Sequence, residues 1–355
     1  MRDVPQIILT KATTAKSFGG QWATPFNHPR PLDTADLPAL SSNPLAPARD
    51  MIRLVVTRLL AAIPTLFAVV AISFFLMRLA PGGPFDQERA LDPAVRDTLD
   101  HLYGLDKPLL TQFARYLQAL AHGDFGPSTH WRDFSVNDLF ASALPISVRL
   151  GSEALALALV VGVALGWAGS GRRGAAATAI ALLALVGLAV PTFVIAPLLQ
   201  VWLGLDLRIL PVGGWDDGAF SHQVLPVATL ALPQIAIVAK LTAAAMRDGL
   251  AAPHIRTLRA FGLPGRHIAW HALRGALLPV LSYCGPAAAA LLTGSIVVET
   301  IFGIPGIGRY FVDGALSRDY TLTMATVVVV GVMIVVFNLV VDLAYGLLDP
   351  RVRHE

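Results

Sequence analysis

Two histidines one helical turn apart, His267 and His271, are spaced to hold a metal ion, since an i, i+4 pair puts both imidazoles on one helix face. No carboxylate or thiol accompanies them, and Arg259, Arg266 and Arg274 lie close by in sequence, so a solvated helix face beside lipid head groups accounts for them better than a metal site. Asp124-Phe125-Gly126 matches a kinase tripeptide, but no Gly-rich phosphate loop accompanies it, which leaves coincidence as its reading. The motifs His-Glu-x-x-His and Gly-x-Ser-x-Gly are absent, and without a Gly-Lys dipeptide the chain has no P-loop for ATP. The single cysteine, Cys284, lies in an apolar run and excludes an intramolecular disulfide or a cysteine-rich metal site. No catalytic constellation is present, so the function must come from what positions these residues.

What positions them is a bilayer. The 355 residues are 55% hydrophobic and only 14% charged, too little polar surface for a soluble globule of this size. The net charge of +3 sums unevenly placed charges, and the basic residues show none of the interleaving with aromatics that nucleic-acid binding uses. A spanning helix needs about 20 apolar residues, and six stretches qualify: about 54–77, 150–169, 175–203, 224–246, 277–298 and 322–347. The expected fold is an all-α polytopic membrane protein. Its first apolar stretch is too long for a signal peptide and lacks the small-residue cleavage pattern.

Residues 1–50 are rich in Pro, Thr, Ala and Ser without periodicity and are expected to be disordered. Met51, which opens a basic and then apolar helix, is expected to be the physiological start.

Arg and Lys in short loops favour the cytoplasm. Arg172 and Arg173 fill the second-to-third connection, and Arg247, Arg256, Arg259, Arg266 and Arg274 stand against Asp248 alone in the fourth-to-fifth, so these loops are expected inside, with both termini. The connection 81–147 holds nine acids against five bases and is expected outside. Its segments 92–105 and 108–123 have the pattern of two short amphipathic helices, with Pro93 and Pro108 in their first turns. The connection is therefore expected to be a small folded cap.

Breakers recur in successive spans: Pro191 and Pro197, Pro226 and Pro233, Gly285 and Pro286. In lipid the freed backbone groups must be satisfied by protein or by a wet cavity, which suggests either a bundle around a path or simple kinked packing. Gly162 and Gly166, with Gly169 a turn on, would let another helix approach closely. Arg78, Arg149, Glu153 and Lys240 lie near span ends, where long side chains snorkel. Asn338 and Asp342, one turn apart in the last span, are the candidate gating pair; the alternative is a helix-to-helix hydrogen bond.

The basic stretch RTLRAFGLPGRHIAWHALRGALLPVL, Arg256 to Leu281, reads as a short helix over 252–261, a turn at Gly262 with Pro264 and Gly265, and a second helix entering the membrane at Leu277-Leu278-Pro279. A short helix held along the membrane between two spans suits a knob for a cytoplasmic partner. An amphipathic helix lying on lipid would explain the arginines but not the compact Gly-Leu-Pro-Gly corner.

At this corner the chain resembles the coupling loop of binding-protein-dependent ABC importer permeases of the peptide and nickel branch. The family typically has "RTARAKGL" followed by "HALRNALLPV", where this chain has Arg256 to Leu263 and His271 to Val280. RLAPGGPF, LAHGDFGPS, SVNDL, VVETIFGIPGIG, SRDY and LLDPRVR match in order, so the resemblance runs from Met51 to Arg353 and is most similar to B-type permeases of oligopeptide importers. Leu258 and Phe261 depart from the small and basic residues usual in that helix, and residues 1–50 match nothing in the pattern.

The resemblance implies an ABC permease fold with a cytoplasmic coupling helix, the transmembrane domain covering 51–353 with an external cap at 81–147 and a coupling loop at 247–276. It implies a non-catalytic, multi-pass subunit of the bacterial inner membrane that helps translocate oligopeptides. The implied partners are a second homologous permease, two ATPase subunits that carry ATP and Mg, and an external peptide-binding protein; this chain itself would bind no cofactor. Arg256, Thr257, Leu258, Arg259, Ala260, Phe261, Gly262 and Leu263 are the expected ATPase-coupling residues, and Asp124, Glu299, Arg318 and Asp319 the expected external docking residues. Dipeptide, nickel and peptide-antibiotic importers remain alternatives. From other classes, a secondary peptide transporter would need intramembrane proton carriers, which the spans largely lack, and a membrane scaffold would not need breakers in successive spans.

Overall fold

The structure is a computed structural model, and it describes residues 46–79, 98, 101, 104–131, 133–170, 182, 187 and 189–348. The described residues are helical apart from connections and one isolated bridge, between Pro127 and Ser135. The protein is an all-α polytopic membrane protein.

Helix α1 spans Ala46–Leu79. The disorder expected over 1–50 lies outside the described residues up to residue 45; residues 46–50 are instead helical, with Pro47 in the first turn, where its missing N–H costs nothing. Of the two expected cap helices, the one over 92–105 lies outside the described residues except Thr98 and His101 at its centre and Gly104 and Leu105 at its end. The other is α2, Leu109–Ala121. Its apolar side meets α1 through Phe113, whose ring lies 5.2 Å from that of Phe74 and 5.3 Å from that of Phe75. Tyr116 stacks on Phe74 at 6.0 Å.

Helix α3 spans Val136–Ser170. Ser135 and Asp138 form a reciprocal capping box at its start, with the Asp138 N–H donating to Ser135 Oγ and the Ser135 N–H to Asp138 Oδ2, both at 3.2 Å. Ala154, Ala158, Gly162 and Gly166 then recur every four residues and are all buried. They face α5, Phe220–Ala251. A Cβ on Gly162 would stand 2.7 Å from Val238 Cβ, and one on Gly166 2.6 Å from the Ala239 carbonyl oxygen, so here glycine lets two backbones touch.

These contacts also fix a direction. Residue numbers rise together along α3 and α5, so the two helices are parallel and the chain between them must cross back. The second half of that crossing is α4, Thr192–Leu199, which continues as a π-helical turn over Gln200–Asp206. Its first half, about 175–188, lies outside the described residues except Leu182 and Gly187. With this return, the five long apolar helices and the shorter one account for six spans.

Helix α6 is Pro253–Ala260, and α7, Gly265–Phe302, packs antiparallel to α5. The Tyr283 hydroxyl donates to Gln234 Oε1 at 2.7 Å, and Gly249 lies against Ala272. Helix α8 is Ile307–Leu316 and α9 is Tyr320–Leu348. Helix α1 runs antiparallel along α9: Arg58 pairs with Asp342, Leu66 meets Gly331, and the Arg78 guanidinium lies 5.9 Å from the Tyr320 ring.

Pro226, Pro233, Pro279 and Pro286 lie inside α5 and α7 without ending them. In the third span Pro191 caps α4 and Pro197 lies inside it just ahead of the π-helical turn, a local re-routing of backbone hydrogen bonds that proline favours. The largest core cluster gathers Leu150, Ala154, Leu225, Leu230, Leu291 and Phe302 from α3, α5 and α7.

Candidate functional site

The corner between α5 and α7 is built from a helix stop. The Leu263 N–H donates to the Leu258 carbonyl at 3.2 Å and the Gly262 N–H to that of Arg259 at 3.0 Å, the paired bonds of a Schellman motif. That motif needs a left-handed residue, and Gly262 supplies it at φ +72°. Pro264 then caps α7, so the corner is closed by Gly262 on one side and Pro264 on the other.

The corner is seated by apolar contacts. Ile255 is fully buried, and Met246, Ala272, Leu273 and Ala276 form a small core where α5 hands over to α7. Sequence reasoning missed this seat; its trace was Ile255, the sole large apolar residue in the first turn of α6.

Arg256, Thr257, Arg259, Ala260, Phe261 and Gly262 are exposed, with Phe261 at 77%. Leu258 and Leu263 are half-buried, where the Schellman motif commonly makes its apolar contact. The expected coupling residues thus form one projecting unit of two kinds, an exposed basic and aromatic face and two leucines turned partly inward. His267 and His271 stand exposed on the first turns of α7.

On the opposite side, two of the four expected docking residues are not on the surface. Glu299 is fully buried near the end of α7, and its Oε2 accepts the Gly308 N–H at 2.7 Å. Asp319 is also fully buried. Its Oδ1 caps α9 by accepting the Leu322 N–H at 3.0 Å, and its Oδ2 accepts from Ser128 Oγ and from the Thr129 and His130 N–H groups. Asp319 is held by backbone and hydroxyl donors and Glu299 by a backbone donor, so in this structure both carboxylates are internal ties at this end of the molecule. The missed partners Ser128 and Gly308 carried no charge to mark them.

Asp124 is exposed and accepts the Gly126 N–H at 2.8 Å, while Arg318 is half-buried at φ +56°. Trp131 stands edge-on to Tyr310 of α8 at 6.1 Å and leaves an aromatic edge on the surface. In α2, burial pushes the Tyr116 phenol up to about 12.

The candidate gating pair divides. Asp342 Oδ2 lies 2.9 Å from Arg58 Nε, a tie between the last span and the first. Asn338 lies close against the backbone of Gly285.

Exposed faces differ between helices. On α1 they are large and apolar, with Leu60, Ile63 and Phe67, as lipid requires; on α7 the stretch from Ser282 to Thr293 exposes small or hydroxylated residues, Ser282, Pro286, Ala290 and Thr293, with Trp270 and Val297 exposed nearer its ends.

The sequence matches the binding-protein-dependent transport system inner membrane component over residues 158–354, more than half of the chain, and the N-terminal membrane component of such systems over 51–132. The chain belongs to this family. It is 46% identical over 306 residues to the oligopeptide transport system permease protein OppB of Salmonella typhimurium and 47% identical to that of Escherichia coli, covering 86% of this chain and 100% of either relative. The dipeptide transport system permease protein DppB of Bacillus subtilis is 40% identical over 305 residues, 85% of this chain and 98% of that relative. This permease is therefore a multi-pass component of the inner membrane.

Proposed function

We propose that this chain is one permease subunit of an ATP-driven importer that carries oligopeptides across the inner membrane. The observation that carries the reading is the 46–47% identity over the full length of oligopeptide permeases, against 40% for a dipeptide permease. The dipeptide relative supplies the second reading, import of shorter peptides through the same architecture.

Both termini and the α6 corner lie on the cytoplasmic side, as the arginine-rich loops favour. Two ATPase subunits bind ATP and Mg, and one docks on the exposed face of Arg256, Thr257, Arg259 and Phe261. This chain contributes no catalytic group. A second permease faces the small and hydroxylated side of α7, and an external binding protein delivers peptide to the cap and α8. Closure of the ATPase dimer displaces α6, and the seat around Ile255 and Met246 passes that motion to α5 and α7; a rigid element biased from two sites is what coupling requires.

The test is a tagged pull-down from mild-detergent membranes with co-purifying chains identified by mass spectrometry, comparing the native chain with Phe261→Glu. Phe261 is exposed, so the substitution leaves the fold intact. The expected result is a second permease with both chains and P-loop ATPases with the native chain alone. Recovery of no ATPase with the native chain sinks the reading. Competition of labelled oligopeptide uptake by dipeptides separates the two substrate classes.

A further inference from the structure

Helix α8 begins without a cap of its own. Its N-cap residue is Gly306, which has no side chain to accept the first N–H groups. Two other helices supply the acceptors: the Ile307 N–H donates to Ser147 Oγ of α3 at 2.9 Å, and the Gly308 N–H to Glu299 Oε2 of α7 at 2.7 Å. The space is shaped for that carboxylate. A Cβ on Gly306 would strike it, and one on Gly308 would stand 2.8 Å from Glu299 Oε2 and closer still to the Ile296 backbone.

The join before α8 is short and runs through the same residue. Helix α7 ends at Gly303, left-handed at φ +66°, with the Ile304 N–H on the Glu299 carbonyl at 2.8 Å. Glu299 therefore ends α7 through its backbone and starts α8 through its side chain. The loop before α5 hangs on the same point, with the Gly214 N–H donating to the Phe302 carbonyl at 2.7 Å.

Helix α8 in turn carries an outward surface. Arg309 and Leu316 are exposed on it, and Tyr310 meets Trp131 of the cap. At its far end the Asp319 N–H donates to the Gly314 carbonyl, and the Asp319 carboxylate holds residues 128–130. Displacing the start of α8 thus displaces the surface shared by α8 and the cap.

We propose that Glu299 is a positioning residue for external docking: by capping α8 from α7, it holds the Arg309, Tyr310 and Trp131 surface in the orientation that receives the binding protein. The inference rests on the importer reading. It also explains why a carboxylate is kept fully buried here, at the start of α8.

The experiment is peptide uptake by the complete importer in proteoliposomes, titrated with binding protein, for the native chain and for Glu299→Ala, Glu299→Gln and Ser147→Ala. The expected result for Glu299→Ala is a half-saturating concentration of binding protein raised about tenfold, as loss of a charge-assisted hydrogen bond allows, with the maximal rate within about twofold. Gln offers the Gly308 N–H the same kind of acceptor, so Glu299→Gln returns the half-saturation to within about threefold of native. Ser147→Ala raises it by about threefold. If Glu299→Ala does not assemble, as judged by recovery of the ATPase subunits, the other two variants decide. A fall in maximal rate at unchanged half-saturation, or a Gln variant no better than Ala, overturns the inference while the importer reading stands. No uptake dependent on binding protein by the native chain sinks both.

Discussion

Replacing Gly262 separates stability of the permease from coupling. Its φ of +72° lies where L-residues are strained, yet a Cβ there would meet nothing within 4 Å, so the cost of a side chain is entirely one of backbone conformation. For a β-branched residue that cost is roughly 1–3 kcal/mol. The two hydrogen bonds closing the corner contribute together about 2 kcal/mol net. Strain and bonding are comparable, so Gly262→Val opens the corner for a large share of the time. The global fold survives, because the buried Ile255 and the core of Met246, Ala272, Leu273 and Ala276 lie outside the turn residues. Asn tolerates the left-handed region and Ala less so, which orders the series Asn, Ala, Val. In proteoliposomes, peptide taken up per ATP hydrolysed falls along that order, by roughly tenfold for Val, the ratio that 1.4 kcal/mol commands. Complex recovery stays within about twofold. Normal uptake by Gly262→Val, or an Asn variant as impaired as Val, refutes the reasoning.

Gly166→Val drives a side chain into the Ala239 carbonyl and Thr242, costs about 2–3 kcal/mol and lowers the melting temperature in detergent, whereas Gly151→Ala, with open space around it, leaves that temperature unchanged. Removing one partner of the Arg58–Asp342 tie leaves a charge unpaired near the membrane, so Arg58→Ala costs more stability than the double change with Asp342→Asn; near-equal costs would free Asp342 for a gating role. Tyr116 holds its proton up to about 12 against an ordinary value near 10, so its contribution to the docking of α2 on α1 is complete below pH 10 and lost as pH rises through 12. The amount at stake is at most about 2–3 kcal/mol. Tyr116→Phe removes that alkaline transition in a fluorescence titration of α2 docking, and its persistence in the variant would assign it elsewhere.

The sequence by itself determined the solvent, the spans and the shape of the corner at Gly262. A stretch of about 20 apolar residues answers to bilayer thickness alone, and Gly262 with Pro264 imposes a local turn whatever surrounds it. Gly162 and Gly166 likewise marked a close helix contact in advance, though not its partner. Only the tertiary structure decided that the partner is α5, that α3 and α5 run parallel, and that Asp342 pairs with Arg58 at the other end of the chain. It also placed Glu299 and Asp319 in the interior. In sequence a charge within an external loop or beside it reads as surface, because burying a carboxylate is costly unless donors are assembled around it. Some of those donors are near in sequence, the N–H groups of Leu322 and Gly308, but the Ser128 hydroxyl and the Thr129 and His130 N–H groups come from about 190 residues away, and no local pattern announces a donor that folding will deliver from there.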